Sequence, residues 1–458
     1  MSIQFSQGKL QSQERKTILQ EVQHQMQRVA LEAIRVVATD GLEAEVTAKL
    51  GREKGQPREA KSQVREIDWK CGTCECNDAN QFTRDGHYRR DLQTGWGTIQ
   101  NLQVPMLECQ QCKHDVICDY ALLEKYQRFW MDLTQEALWS SGCSQSLRDM
   151  SERWSATVGH SVGLRTINER INQVESLVHQ FHHTPLEQVP EVIQLDGIWV
   201  TITEQGEVVV LDRRNRARYA RQGKKKVILV ALGFWTENGK EKREIVDWQI
   251  AESEKHEEWK VLLDRLVKRG ATSANGLKAI IRDGCGGLGQ AIDQVYGESV
   301  IEQRCIFHKL KNVRDACRTE LKGEDHQEER RQLMQEACAV YQAENAEQAK
   351  ERLVAWSLRW GEAAPKSVAT FERDFEATIM YYQLEGVVLE WVRSTSLLER
   401  VNRQLRRKFR QALSFGSNVG AEVALYLQVQ RLHAKWNHTS WWQTSHALSL
   451  DLLQVHHP

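Results

Sequence analysis

From residue 191 the chain reads EVIQLDGIWVTI, an apolar β-branched run broken by one aspartate, Asp196. Such a run predicts a buried strand. Further strands are expected in EVVVLD, KKVILVALGFW and REIVDWQIAE, followed by a helix in EKHEEWKVLLDRLVKRG. LKAIIRDG predicts a strand, GLGQAIDQVYG a helix, and VIEQRCIFH opens on another strand. Strands first, then alternating helix and strand, restrict this part of the chain to a mixed sheet covered by helices.

That order fits an α/β sheet of the ribonuclease-H type. Asp196 sits mid-strand, where a carboxylate is costly to bury unless it is paired or metal-bound. Asp283 ends LKAIIRD and is followed by GCGG, whose glycines let the backbone turn beside the carboxylate. Glu399 heads the segment STSLLERVNRQLRRKFR, residues 394–410. Two strand aspartates and a helix glutamate can converge, and such a trio can hold two divalent cations, Mg2+ or Mn2+, for phosphoryl transfer. Plainer readings stay open. Asp196 and Asp283 also suit turns. Ser396 to Glu399 matches a helix capping box. Glu399 and Arg403 match a surface pair four residues apart, worth only ~0.2–0.5 kcal/mol. On the same helix Leu398, Val401 and Leu405 share a face expected to pack inward. Glu399, Arg403, Arg406 and Arg410 lie on a neighbouring face that would lay phosphates along the helix.

Upstream, residues 1–60 predict a helical arm that packs on another domain or subunit. Residues 66–120 carry Cys71 and Cys74, then Cys109 and Cys112: two C-x-x-C knuckles around strand-like sequence, the pattern of a zinc ribbon. Cys76, His114 and Cys118 are spare candidates for the same Zn2+. RDGHYRRDLQTGWG between the knuckles suits a hairpin tip at phosphates or an exposed turn. Residues 125–185 predict a helix-turn-helix, with Arg165 near the start of the helix that would enter a DNA groove. Residues 309–393 are helical throughout, and 426–458 predict a C-terminal helical tail. Cys305 and His308 form half a zinc pattern with no second pair nearby. We expect His308 at the active site against phosphate or DNA, with Cys305 packed beneath. A buried structural histidine is the alternative.

The 62 Lys and Arg balance the 62 Asp and Glu, so attraction to nucleic acid must come from patches. RRNRARYARQGKKK, residues 213–226, and RQLRRKFR, residues 403–410, are the densest. No run of about 18 apolar residues predicts a membrane span, and the start lacks a signal-peptide core. A cytoplasmic, nucleoid-associated protein is expected, with its 11 cysteines as thiols or zinc ligands.

RSTSLLERVNRQLRRK resembles the glutamate-bearing helix of Mutator-type DDE transposases, a superfamily with many bacterial insertion-sequence enzymes. IIRDGCGGLGQAIDQVYGESVIEQRCIFHKLKNV is similar to that family's second-aspartate block; LDGIWV, AESEKHEEW and LVKRG match its first half. The likeness covers roughly residues 190–425. It implies Asp196, Asp283 and Glu399 as the catalytic triad, on a ribonuclease-H fold spanning 190–308 and 394–425, interrupted by the helical insertion. It implies metal-dependent cleavage and strand transfer on double-stranded DNA, at element ends and target, by a homodimer or higher oligomer. Cys305 and His308 match the family's Cys-x-x-His positions. Ser396 departs from the asparagine many members carry, and the zinc ribbon indicates a particular branch. An inactive DNA-binding regulator and a nuclease without strand transfer are the rival functions.

Overall fold

The computed structural model describes residues 12–56, 64–94, 97–123, 133–158, 161–211, 215–412, 415 and 417–456. The chain forms two compact units, one of residues 1–136 and 147–168, the other of 137–146 and 169–458. Among the described residues no helix is long and apolar enough to cross a membrane.

The first unit opens with α1 (Ser12–Leu50), followed by β1 (Lys70–Cys71), β2 (Phe82–Thr94), β3 (Gly97–Cys109) and β4 (Val116–Ile117). β2 and β3 form an antiparallel hairpin, and β1 pairs with β4. Ala38, Leu42, Val46 and Leu50 recur every fourth residue on α1, so they form one apolar stripe. The stripe is buried with Leu92, Ile99, Leu102, Val104 and Leu107 of the hairpin. The arm therefore packs on the cysteine-bearing segment. RDGHYRR is strand rather than hairpin tip: Arg84 donates to Thr47 Oγ1 at 2.9 Å and His87 Nε2 lies 2.6 Å from Glu43, both on α1.

Four helices follow: α2 (Leu133–Gly142), α3 (Leu147–Val158), α4 (Leu164–Asn172) and α5 (Glu175–His183). α3 belongs to the first unit and α5 to the second, while α2 and α4 each span a boundary.

The second unit is built on β5 (Val192–Leu211), β6 (Ala217–Glu237), β7 (Lys240–Ala251), α6 (His256–Lys268), β8 (Ala279–Arg282), α7 (Gly286–Tyr296) and β9 (Ile301–Arg304). The strand order is β7-β6-β5-β8-β9. β5, β6 and β7 pair antiparallel; β8 runs parallel to β5, and β9 parallel to β8. EVIQLDGIWVTI and EVVVLD are thus one strand of 20 residues, not two. The basic segment 217–226 is its partner, not a loop. Ile193, Leu195, Val227, Leu229 and Ile280 of the sheet are buried with Trp259, Leu262, Leu266, Leu288 and Ile292 of α6 and α7.

Asp247 of β7 fastens this layer. Its fully buried carboxylate accepts from His182 Nδ1 at 2.7 Å, Arg265 Nε at 2.9 Å and Arg269 Nη1 at 3.0 Å. Beyond β9 come α8 (Ile306–Glu320), α9 (Gln327–Val340), α10 (Ala346–Trp360), α11 (Pro365–Glu372) and α12 (Leu389–Arg393). Trp356, Phe371, Phe375 and Tyr341 stack as an aromatic core there. α13 (Ser396–Ala412) returns the chain to β5, and α14 (Asn418–Trp436) and α15 (Trp441–His456) finish it. α14 runs unbroken through residue 425, where the sequence suggests a tail begins, and it lies against β7, α5 and α13.

Candidate functional site

Asp196 lies opposite Val230 in the β5–β6 ladder. Its Oδ1 accepts from Gly197 N at 2.9 Å and its Oδ2 from Asn402 Nδ2 at 2.8 Å. Burial, joined by repulsion from Asp283, pushes its pKa up to about 6 despite those bonds. Among the described residues no Lys or Arg pairs with it. Asp283 follows β8, and its Oδ1 accepts from Cys285 N at 2.8 Å, so the turn before α7 fixes the carboxylate.

Glu399 is brought to the aspartates by a clamp. Gln194, two residues before Asp196, is fully buried. Its Nε2 donates to Trp391 O at 2.7 Å and Ser394 O at 2.9 Å, and its Oε1 accepts from Leu398 N at 3.2 Å. Gln194 therefore caps the first turn of α13 from the strand that carries Asp196. The capping-box alternative does not form: Glu399 N bonds Thr395 O, which makes Thr395 the cap residue, and Ser396 N points to Ser394 Oγ at 3.4 Å. No ion pair joins Glu399 to Arg403 among the described residues. Glu399 Oε1 is instead buried with no hydrogen-bond partner, and His308 Nε2 stands 3.4 Å away in poor alignment.

His308, in the first turn of α8, is held from behind. Its Nδ1 lies 3.4 Å from Thr395 Oγ1, and Cys305 Sγ accepts from Thr395 N at 3.3 Å. Cys305 is fully buried. Its hydrogen bond to His308 raises the histidine pKa; burial opposes this, and the charges of Cys305, Glu399 and Asp283 add to the rise.

Glu254, in the loop between β7 and α6, was not singled out from the sequence. A Cβ on Gly197 would collide with Glu254 Oε1, and one on Gly287 would come within 2.9 Å of Glu254 O and His256 N. Cys285 Sγ lies 3.5 Å from Glu254 O. This loop thus seats against β5 beside Asp196 and against the turn that follows Asp283. Burial raises the Glu254 pKa, and the charges of Asp283 and Asp196 raise it further. Asn402 was also missed, although it lies three residues after Glu399, where a helix places a neighbour. Gln194 gave no sequence signal, since its partners are about 200 residues away.

The three expected carboxylates thus lie near His308, whose charge acts with those of Asp196, Asp283 and Glu399. Their ligating atoms do not all fall within 4.8 Å of one another, as those of Cys71, Cys74, Cys109 and Cys112 do. The cysteines form a symmetrical pair of knuckles. Cys71 N donates to Cys76 O and Cys109 N to His114 O, both at 2.8 Å. The residue after each second cysteine, Glu75 and Lys113, has positive φ, 56° and 61°. Cys71 and Cys112 sulfurs are 3.2 Å apart, and Cys74 and Cys109 sulfurs 3.7 Å. Four sulfurs around one zinc at ~2.3 Å would sit about 3.8 Å apart. The backbone N–H of Cys74 lowers the Cys71 pKa to about 6. Cys76 and His114 serve through their carbonyls, and Cys118 Sγ turns to Val116 O at 3.6 Å.

The profile of the family described as "Transposase, Mutator family" matches residues 4–439. The chain belongs to the Mutator family of transposases. It is 25% identical over 430 residues to the transposase for insertion sequence element ISRM5 of Rhizobium meliloti (strain 1021), covering 93% of this chain and 92% of that one. It is 24% identical over 367 residues to the transposase for IS256 in transposon Tn4001 of Staphylococcus aureus, covering 80% and 85%. Among solved structures, a Drosophila P element transposase strand transfer complex aligns with 70% of this chain and 91% of that one, at 11% identity. The TM-score of that alignment is 0.25.

A Mutator-family transposase cleaves DNA and transfers strands. On α13 of this transposase Leu398, Val401 and Leu405 are buried, as their spacing predicts. Arg403 is exposed and Arg406 half-buried; the Arg410 side chain lies outside the described residues. Lys408 points inward and donates to Ser141 O at 2.9 Å, at the end of α2. Arg165 is exposed in the first turn of α4.

Proposed function

We propose that Asp196, Asp283 and Glu399 form the phosphodiester-cleaving centre of this transposase, on a ribonuclease-H-like domain interrupted by the helical insertion. The observation that carries the reading is the contrast between two strand aspartates. Asp247 is answered by His182, Arg265 and Arg269, whereas among the described residues Asp196 pairs with no Lys or Arg and is repelled by Asp283. Beside it the buried Glu399 Oε1 lacks a hydrogen-bond partner. A buried acceptor left orphaned and a carboxylate left uncompensated are what a cation would satisfy.

An all-oxygen donor set suits Mg2+ or Mn2+. Two such ions held by Asp196, Asp283 and Glu399 would supply Lewis-acid stabilisation of the attacking and leaving oxygens. The protein's own part is positioning. Asn402 and Gly197 N fix the Asp196 carboxylate, Cys285 N fixes Asp283, and Gln194 fixes the start of the helix bearing Glu399. His308 Nε2 is placed to donate to a phosphate oxygen, and Glu254 adds a fourth carboxylate at the rim. In the first step a water oxygen bonds to phosphorus as the bond to the 3′ oxygen breaks, leaving a 3′-hydroxyl on the element end. In the second the oxygen of that hydroxyl bonds to a target phosphorus as the bond from that phosphorus to the target's own 3′ oxygen breaks, leaving a 3′-hydroxyl on the cut target strand.

The four-cysteine cluster is read as a structural Zn2+ site, and the knuckled segment with the α3–α4 helix-turn-helix as the part that recognises terminal repeats, Arg165 included. Arg403, Arg406 and Arg410 contact phosphates. Synapsis of two ends calls for a homodimer or higher oligomer. The test is incubation of purified protein, Mg2+ and a plasmid carrying the coding region with its flanking DNA. Element ends joined to a target plasmid are expected. Nicks without joining indicate a nuclease, and binding without nicks a regulator.

A further inference from the structure

The basic segment 213–226 finds no role in the centre described above. It holds eight cations in 14 residues, and the three carboxylates of the hairpin, Glu204, Glu207 and Asp212, lie outside it. Its described part is the outer half of β6. β7 accompanies β6 only as far as Val227, and β8 accompanies β5 only over Val192–Gln194. From Val200↔Lys226 to Leu211↔Ala217 no third strand of the sheet accompanies the two among the described residues, over about 30 Å at ~3.4 Å per residue, and Phe415 bridges only Ile202. A lone two-stranded ribbon is marginal in water.

The ribbon is anchored at its base. Lys226 is buried and pairs with Glu252 at 2.9 Å. Thr203 N donates to Phe415 O at 2.8 Å, which ties the ribbon to the segment that continues α13. Lys225, opposite Thr201 near the base, and Arg218, opposite Val210 further out, are exposed, as are Tyr219 at 52% and its cross-strand neighbour Val209 at 56%. The ribbon also springs from the strand of Asp196, four residues beyond that carboxylate.

We propose that this ribbon is a DNA-docking arm, which lies along the same duplex that meets the carboxylates and sets cations of β6 against its phosphates. A two-stranded β-ribbon is one of the few elements that fit the major groove. The charge matches the phosphate backbone, and the anchoring to α13 continues the cationic face of that helix. The inference rests on the transposase reading, since it supposes DNA at the carboxylate cleft.

The test uses the full chain and a mixed-sequence duplex long enough to span ribbon and α13. Affinity is measured from low to moderate salt for wild type and for the double variant Arg218→Gln, Lys225→Gln. The double variant should show a salt slope shallower by about two units and a Kd raised about tenfold or more near 0.1 M salt, with an unchanged thermal midpoint. If wild type binds DNA and the variant matches it in slope and Kd, the ribbon proposal is wrong and the assignment of the centre stands. A matching slope with a changed sedimenting mass makes the ribbon a contact between copies, which also overturns it. Wild type that binds no DNA at all removes the transposase reading on which it rests.

Discussion

Asp196 and Asp247 are both strand aspartates among apolar neighbours, yet their surroundings are opposite. Asp247 is held as an anion by its cationic partners, which outweigh burial and lower its pKa. Removing it strands Arg269 in the core, and loss of one partner of such a group costs about 3–5 kcal/mol. Asp196 is pushed up to about 6 from an ordinary 3.8, so its ionised form is disfavoured in the fold. The sign follows: ionisation of Asp196 lowers stability as pH rises from about 4 to about 6, and neutral asparagine relieves that cost. Without divalent metal at neutral pH, Asp196→Asn should melt at or above the wild-type temperature, and Asp247→Asn well below it. A drop of equal size in both would show Asp196 to be structural. The sequence exposes both aspartates in the same way, and it reveals neither Arg265 and Arg269, on and just after α6, that answer one nor the lack of such partners around the other among the described residues.

At the scale of elements, helix and strand periods were readable where burial decides them. The stripe Leu398, Val401, Leu405 is one case, and the pair of C-x-x-C knuckles another. The outer hairpin was misread because no core imposes alternation there; cations and glycines occupy positions that would otherwise display period two. The cap of α13 was misread because a tertiary partner, Gln194, replaces the local one. Gln194→Leu should leave Leu398 N and the carbonyls of Trp391 and Ser394 unpaired, at a cost of at least about 2 kcal/mol. It should also cut DNA cleavage by displacing Glu399, which paired melting and cleavage assays would register. The contact of α14 with β7 is acid-sensitive for a similar reason. His433 Nε2 accepts from Ile245 N at 3.0 Å, and burial lowers its pKa to about 4 from 6.5. Stability should therefore fall as pH drops from about 6.5 towards 4, while His433→Gln should flatten that limb of a melting-temperature profile.

At the scale of the whole molecule, the two units draw their stability from different sources. The second has a large core between sheet and helices. In the first, the knuckles join strands of only two residues, so a zinc ion would supply much of the local folding free energy. Chelation by a strong zinc binder should lower or abolish one calorimetric transition and leave that of the second unit in place. Purified protein should carry about one zinc per chain, and Cys74→Ser should release it. A single transition that chelation does not move would contradict this division.

If Glu399 is a ligand in a metal-dependent centre, strand cleavage at an element end should depend on its charge, and Glu399→Gln isolates that charge. Glutamine keeps the shape and the helix start, which Gln194 caps, and removes only the charge. Cleavage with Mg2+ should fall by orders of magnitude, as it should in Asp196→Asn and Asp283→Asn, while DNA binding and melting stay near wild type. Double variants should be little worse than single ones, because groups acting as one unit are not additive. Near-normal cleavage by Glu399→Gln alongside inactive aspartate variants would contradict the claim and move the third ligand elsewhere, with Glu254 the first position to examine.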